Sequence, residues 1–101
     1  MPIARMRSAT RGLADLELSE DAAHNQLERC FEGLLKAIRD EEWVVRYAAA
    51  YGLEQRLNSA ALSAHLAKQG RAALNRLASD AEGVRVVQLR ALKALQRLNA
   101  G

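Results

Sequence analysis

The residues best equipped for chemistry in this chain of 101 residues are Trp43, Tyr47 and Tyr51. Spaced by four, they fall along one edge of a helix. Arg46 lies beside them, and Arg85 and Arg90 occupy matching places in a second stretch of the same grammar. Flat rings stack, and guanidinium groups grip carboxylates with two parallel hydrogen bonds. The set therefore reads as a shelf for a planar, anionic organic ligand. A structural reading stands beside it. In that reading Trp43 and Tyr47 plug a gap between helices, and Arg46 and Arg85 bridge to Asp40 and Asp80 as a ladder between repeats.

The remaining search for catalytic groups is mostly negative. There is no Gly-rich phosphate loop and no His-Glu-x-x-His helix. His24 and His65 lie far apart in sequence, without an acid at ligand spacing, and read as surface histidines; no metal site is expected. The serines sit in capping or helical contexts and show no nucleophile-elbow pattern. Glu41 and Glu42 are adjacent and so point to different sides of a helix. They read as first-turn charges rather than an acid/base pair. Cys30 is the one cysteine, so no disulfide can form within the chain. It sits on an apolar stripe and reads as a small buried hydrophobe.

These side chains need helices to position them, and the composition supplies nothing else. Ala and Leu dominate, Pro2 is the single proline, and no run of Val, Ile and Thr alternates with period two. Five helices are expected, over about 3–17, 19–38, 41–57, 60–78 and 81–98. Ile3, Met6, Ala9, Leu13 and Leu16 fall on one side of the first. Arg5, Arg7 and Arg11 lie elsewhere around it, as a solvated face or a contact for an anionic partner. Ser19 is placed to cap the second helix, whose stripe is Ala23, Leu27, Cys30, Phe31, Leu34 and Ile38. Gly33 there suggests close packing.

Asp40 is placed to cap the third helix, with Glu41 and Glu42 at its positive end. Val44, Val45, Ala48, Ala49 and Gly52 give it a tight, small-residue face. Ser59 is placed to cap the fourth, which Gly70 should kink. Leu62, Leu66, Ala73, Leu74 and Leu77 form its inner side. Val84, Val87, Ala91, Leu95 and Leu98 do the same for the fifth.

The third and fifth helices repeat one another. Val45-Arg46 aligns with Val84-Arg85, and Gly52-Leu53 with Ala91-Leu92, at a shift of 39 positions. A period of roughly forty residues built on helix pairs marks a HEAT-type α-solenoid. We therefore expect an all-α short solenoid forming one domain over 1–101, with units at about 3–17, 19–57 and 60–98. End repeats need polar caps, and neither terminus has an obvious one. The exposed end of the stack should meet another chain, a second copy included.

Totals bound the function further. Fifteen basic and twelve acidic residues leave a net charge of +3, weaker than the basic stripe of a nucleic-acid binder. No segment has the apolar length of a signal peptide or a membrane span. A soluble, cytoplasmic protein is expected, with no cofactor of its own.

The run from Leu35 to Ala49, with Asp40-Glu41-Glu42-Trp43-Val44-Val45-Arg46-Tyr47-Ala48-Ala49 at its centre, resembles the Asp-x-x-Trp-x-Val-Arg-Tyr-Ala-Ala signature of HEAT-like repeats in E/F-type phycobilin lyases. The stretch from Leu77 to Leu98 is similar, with its Asp, its Val-Arg and its closing Ala-Leu-Gln-Arg-Leu. The resemblance covers about 27–98. It implies an α-solenoid that attaches, isomerises or detaches an open-chain tetrapyrrole on a cysteine of a phycobiliprotein. Related chains act in phycobilisome disassembly or as scaffolds. It implies a bilin as substrate or ligand, and a phycobiliprotein subunit or a second HEAT-repeat chain as partner. Arg46 and Arg85 would then pair with propionates, Trp43, Tyr47 and Tyr51 would line the ring site, and Tyr47 or Glu42 would be the proton donor.

Overall fold

The computed structural model describes the backbone of residues 2–100 and the side chains of residues 20–100. The fold is all-α. Four helices follow in order: α1 (Pro2–Ala37), α2 (Trp43–Leu57), α3 (Ala64–Leu77) and α4 (Arg85–Ala100). The helices expected over 3–17 and 19–38 are one. Nothing between Gly12 and Ala23 forces the backbone out of helical dihedrals, and a serine alone does not end a helix whose neighbours are Leu, Glu and Ala. The expected first stripe, the three arginines Arg5, Arg7 and Arg11, and the side chain of Ser19 lie outside the described residues.

The helices pack as two hairpins, α1 with α2 and α3 with α4. α2 lies against α4, and the end of α1 lies against α3, so the hairpins stack into two layers. Two hairpins do not by themselves define a superhelix. The core between them holds Phe31, Leu53, Leu74 and Val87, all but fully buried, with Ala49, Ala50, Ala73, Ala91 and Ala94 at the crossings. The small residues let the backbones approach, as a helix pair with a narrow interface requires.

Several local expectations are corrected. Val44 and Val45 are exposed, and the buried face of α2 is Ala49, Ala50, Gly52, Leu53 and Glu54. α2 begins two residues later than expected, with Glu42 as its extended N-cap and no side-chain cap bond. Asp40 instead accepts from the Glu42 N–H at 2.9 Å, shaping the approach turn rather than capping the helix. Ser63, not Ser59, caps α3, through a bond from the Leu66 N–H at 3.2 Å. Ser59 accepts from the Ala61 N–H in the connecting loop.

Gly70 does not kink α3. The helix continues through it, and a Cβ there would collide with the ring of Phe31. Glycine is needed at this place for close approach, not for flexibility. Gly33, where close packing was expected, faces open space. Cys30 is exposed rather than buried, because the inward face of α1 turns through Phe31, Leu34 and Ile38.

The repeat is real at the level of capping, and its register is 42 rather than 39. The Glu42 N–H bonds Asp40 Oδ1, and the Val84 N–H bonds Glu82 Oε1. The Glu42 carbonyl opens α2 by accepting from Val45 and Arg46, and the Val84 carbonyl opens α4 by accepting from Val87 and Gln88. Arg46 reaches back to the carbonyl of Asp40, and Gln88 reaches back to the carbonyl of Glu82. The counterpart of Arg46 is thus Gln88, not Arg85. The shared Val-Arg pair misled because it sits three residues earlier in the second copy.

Candidate functional site

Tyr47 and Tyr51 project from α2 one turn apart, as their spacing dictates. From α4 come Val86, Leu89 and Arg90, then Lys93 and Arg97 one and two turns further along. Together they line a groove of about 410 Å³ between α2 and α4. That volume lies within the ordinary range for small-molecule sites. The ring of Tyr51 is half exposed, and the Arg90 guanidinium sits 5.2 Å from its centroid, within reach of a cation–π contact.

Arg90 is held from below. Glu54 on α2 is 4% exposed, and Arg90 itself 8%. The Arg90 Nη1 donates to Glu54 Oε1 at 2.9 Å, and Arg97 Nη1 lies 3.5 Å from the other carboxylate oxygen. Lys93 makes no ion pair among the described residues. The groove therefore joins two aromatic rings and two aliphatic side chains to a cationic rim, with Arg90 neutralised by Glu54 and Lys93 fully available. An arrangement of this kind suits a flat, conjugated anion, with rings against the tyrosines and carboxylates at the rim.

The other candidate residues lie elsewhere. Trp43 is exposed but does not line this groove. Arg46 is spent in a separate cluster. Its Nε and Nη2 donate to the two oxygens of Glu82, both at 2.8 Å, and its Nη1 donates to the carbonyls of Asp40 and Glu41 at 2.8 and 3.0 Å. Glu82 is 6% exposed and also accepts from the Val84 N–H. The fork from Arg46 holds the Glu82 carboxyl below its usual 4.5, aided by the backbone N–H and opposed by burial. The same bond raises Arg46 further above its usual range.

A bridge between the two hairpins exists, then, but it runs from Arg46 to Glu82. It does not run to the carboxylate of Asp40, nor from Arg85 to Asp80. Arg85 bonds Gln88 on the surface. Of the two candidate proton donors, Tyr47 stands at the groove wall and Glu42 is the exposed N-cap of α2, outside it.

Sequence reasoning missed Glu54, Lys93 and Arg97. The last two carried a signal: Arg90, Lys93 and Arg97 fall at i, i+3 and i+7, one face of a helix. Glu54 carried none, since its partner is 36 residues away. His24 does have an acid in reach, Glu28 one turn on, whose Oε1 is 2.9 Å from Nε2. No group of three His, Cys, Asp or Glu among the described residues could hold a metal ion. No described helix is long and apolar enough to cross a membrane.

Comparison with known proteins places the chain. It is 47% identical over 92 residues to bilin biosynthesis protein RpcF of Synechococcus sp. (strain WH8020), covering 91% of this chain and 43% of that protein. It is 43% identical to a phycobilisome maturation protein of Synechococcus elongatus, covering 94% of this chain and 46% of that protein. The chain thus spans less than half the length of these curated relatives. No family model and no solved structure matches it.

Proposed function

We propose that this chain, a homologue of bilin biosynthesis protein RpcF and so of the E/F-type phycobilin lyase subunits, handles an open-chain tetrapyrrole in the groove between α2 and α4. The observation that carries this reading is the groove itself. In a homologue of a bilin protein, two tyrosines, two aliphatic residues and a cationic rim line one groove. The pigment's rings rest on Tyr47 and Tyr51. Its two propionates take Lys93 and Arg97, because Arg46 lies outside the groove with four of its five donors engaged. Arg90 stays on Glu54 and Tyr51 and sets the floor of the site. The residues act mainly by holding the pigment in one orientation before an acceptor cysteine on a phycobiliprotein subunit. The Tyr47 hydroxyl is placed to donate a proton or hydrogen bond to a pyrrole nitrogen or carbonyl.

The matched caps at 42 residues support a further part of the reading, that the two hairpins are HEAT-like repeats of a longer solenoid. Titration of the purified chain with phycocyanobilin tests the pigment site. A shifted, sharpened absorbance band is expected with the chain alone. Lys93→Glu should weaken it strongly while leaving the thermal melt in place, because Lys93 makes no ion pair among the described residues. An unchanged band in both proteins would sink the reading.

A second reading, a non-enzymatic adaptor for phycobilisome assembly or disassembly, has its own support. All eight large apolar side chains exposed among the described residues belong to α2 and α4. So one-sided a distribution suits a protein partner, a phycobiliprotein subunit or another HEAT-repeat chain. Complex formation with an apo-subunit, with no spectral change on adding bilin, would select it.

A further inference from the structure

A second concavity, larger than the groove described above, lies in the other layer, between the end of α1 and α3. It measures about 620 Å³ and shares no residue with the first. Its floor is apolar: Leu35 and Ile38 from one side, Ala72 and Ala73 from the other. Its rim carries Lys36, Arg39 and Arg76, against the single carboxylate of Glu32. A second hollow of about 320 Å³ opens from it, and Ile38, Arg39 and Arg76 line both. The two adjoin along these residues to form one channel, and its second part, toward the loops that join the helices of each hairpin, also carries Asp40 and the paired Arg46 and Glu82.

The rim cations differ from most other described arginines. Arg46, Arg71, Arg85, Arg90 and Arg97 each have a side-chain partner, and Arg56 donates to the Gly52 carbonyl, while Arg29, away from this concavity, has none. Among the described residues, Lys36, Arg39 and Arg76 have neither a side-chain hydrogen bond nor an ion pair. The C-terminal ends of α1 and α3 favour positive charge nearby, which accounts for cations at these places. It does not account for an apolar floor between them. Three unpaired cations around an aliphatic trough complement a ligand with aliphatic side chains on one stripe and carboxylates on its flanks.

We infer that this channel docks an acidic, amphipathic segment of a partner protein. Its length, over two connected hollows, suits a polypeptide better than a compact metabolite. The lysine and arginines fix the segment's register, and the trough takes its leucine-like side chains. The inference is independent of the pigment site, which lies in the other layer.

The test uses a fluorescein-labelled synthetic helix of about 14 residues, roughly four turns, with leucines on one face and glutamates on its flanks. A twin peptide carries lysine for every glutamate. Fluorescence anisotropy should show saturable binding of the acidic peptide, weakened by added salt, and none of the twin. Arg39→Glu with Arg76→Glu should weaken binding about tenfold or more, with the thermal melt unchanged. Lys93→Glu with Arg97→Glu should leave it intact. Equal binding of both peptides, no binding of the acidic one, or equal loss from the Lys93 and Arg97 changes would overturn the inference. So would dodecanoate saturating the channel while the peptide fails to bind, which would make it a small-molecule site.

Discussion

Arg46 and Arg90 each reach a glutamate 36 residues away, in opposite directions along the chain. One bond runs from α2 to the turn before α4, the other from α4 back to α2. Both cross from one hairpin to the other, yet they end differently. Arg46 has a two-pronged grip on Glu82 and two carbonyls besides, so four of its five N–H donors are engaged. Arg90 makes one bond to Glu54 and rests against the ring of Tyr51 at the floor of an open groove. The same residue pair at the same separation thus serves as a closed fastening in one place and as part of a receptive wall in the other. What separates them is not the charge pair but the backbone around it. The approach turn before α2 offers free carbonyls, and the middle of a helix offers none.

Removing Glu54 should hurt most. Glu54→Ala leaves a buried guanidinium without its carboxylate and should cost about 3–5 kcal/mol in urea unfolding. A larger cost for Glu82→Ala would reverse the ranking of the two bridges.

Next comes the pH dependence of the Glu82 fastening. Its carboxyl is held below the usual 4.5 when folded, so its stabilisation is complete above the unfolded value. It is lost as pH falls through the depressed folded value. Glu82→Gln should cost about 1–3 kcal/mol at neutral pH and flatten the acid limb of stability below the usual carboxylate range. An acid limb of unchanged steepness, followed by circular dichroism, would show that this bridge does not set it.

Gln88→Ala sharpens the register. Its amide donates to the carbonyls of Ser79 and Glu82 at 2.9 and 2.6 Å, as Arg46 donates to that of Asp40. Loss of about 1 kcal/mol is expected, against almost none for Arg85→Ala, measured by thermal melt. Equal costs would restore the 39-residue alignment.

Arg90→Lys should have the smallest effect on stability, under about 1 kcal/mol, because the charge beside Glu54 remains while the stacking on Tyr51 is lost. Its phycocyanobilin affinity should nevertheless fall several-fold. A change confined to stability would make this bridge as purely structural as the other.

The all-α class and the core of α3 and α4 were legible because Leu66, Ala73, Leu74, Leu77, Val87, Ala91 and Leu98 recur at the helical period. The cap positions were off by a few residues. Asp40, Ser59 and Ser63 are all good formers of local turns, and only the packed helices decide which one opens a helix. Phe31 was placed correctly on the stripe of α1, but Cys30 next to it was not. Adjacent stripe positions differ by a rotation of about 100°, and the partner helices settle which faces inward. The partners of Arg46 and Arg90 were invisible, since no local spacing names a residue 36 positions away. The aromatic edge of the groove was read from the spacing of Tyr47 and Tyr51, whereas its cationic rim depended on α4 lying beside α2.

The seat of Phe31 against Gly70 bears on how such chains can be shuffled. Each half of the contact lies in a different hairpin, and the ring is wholly buried where a methyl group on residue 70 would stand. A chimera that takes one hairpin from this chain and the other from a homologue inherits half a lock and half a key. It will fold well only when the ring and the glycine travel together, or when a larger residue at 70 arrives with a smaller one at 31.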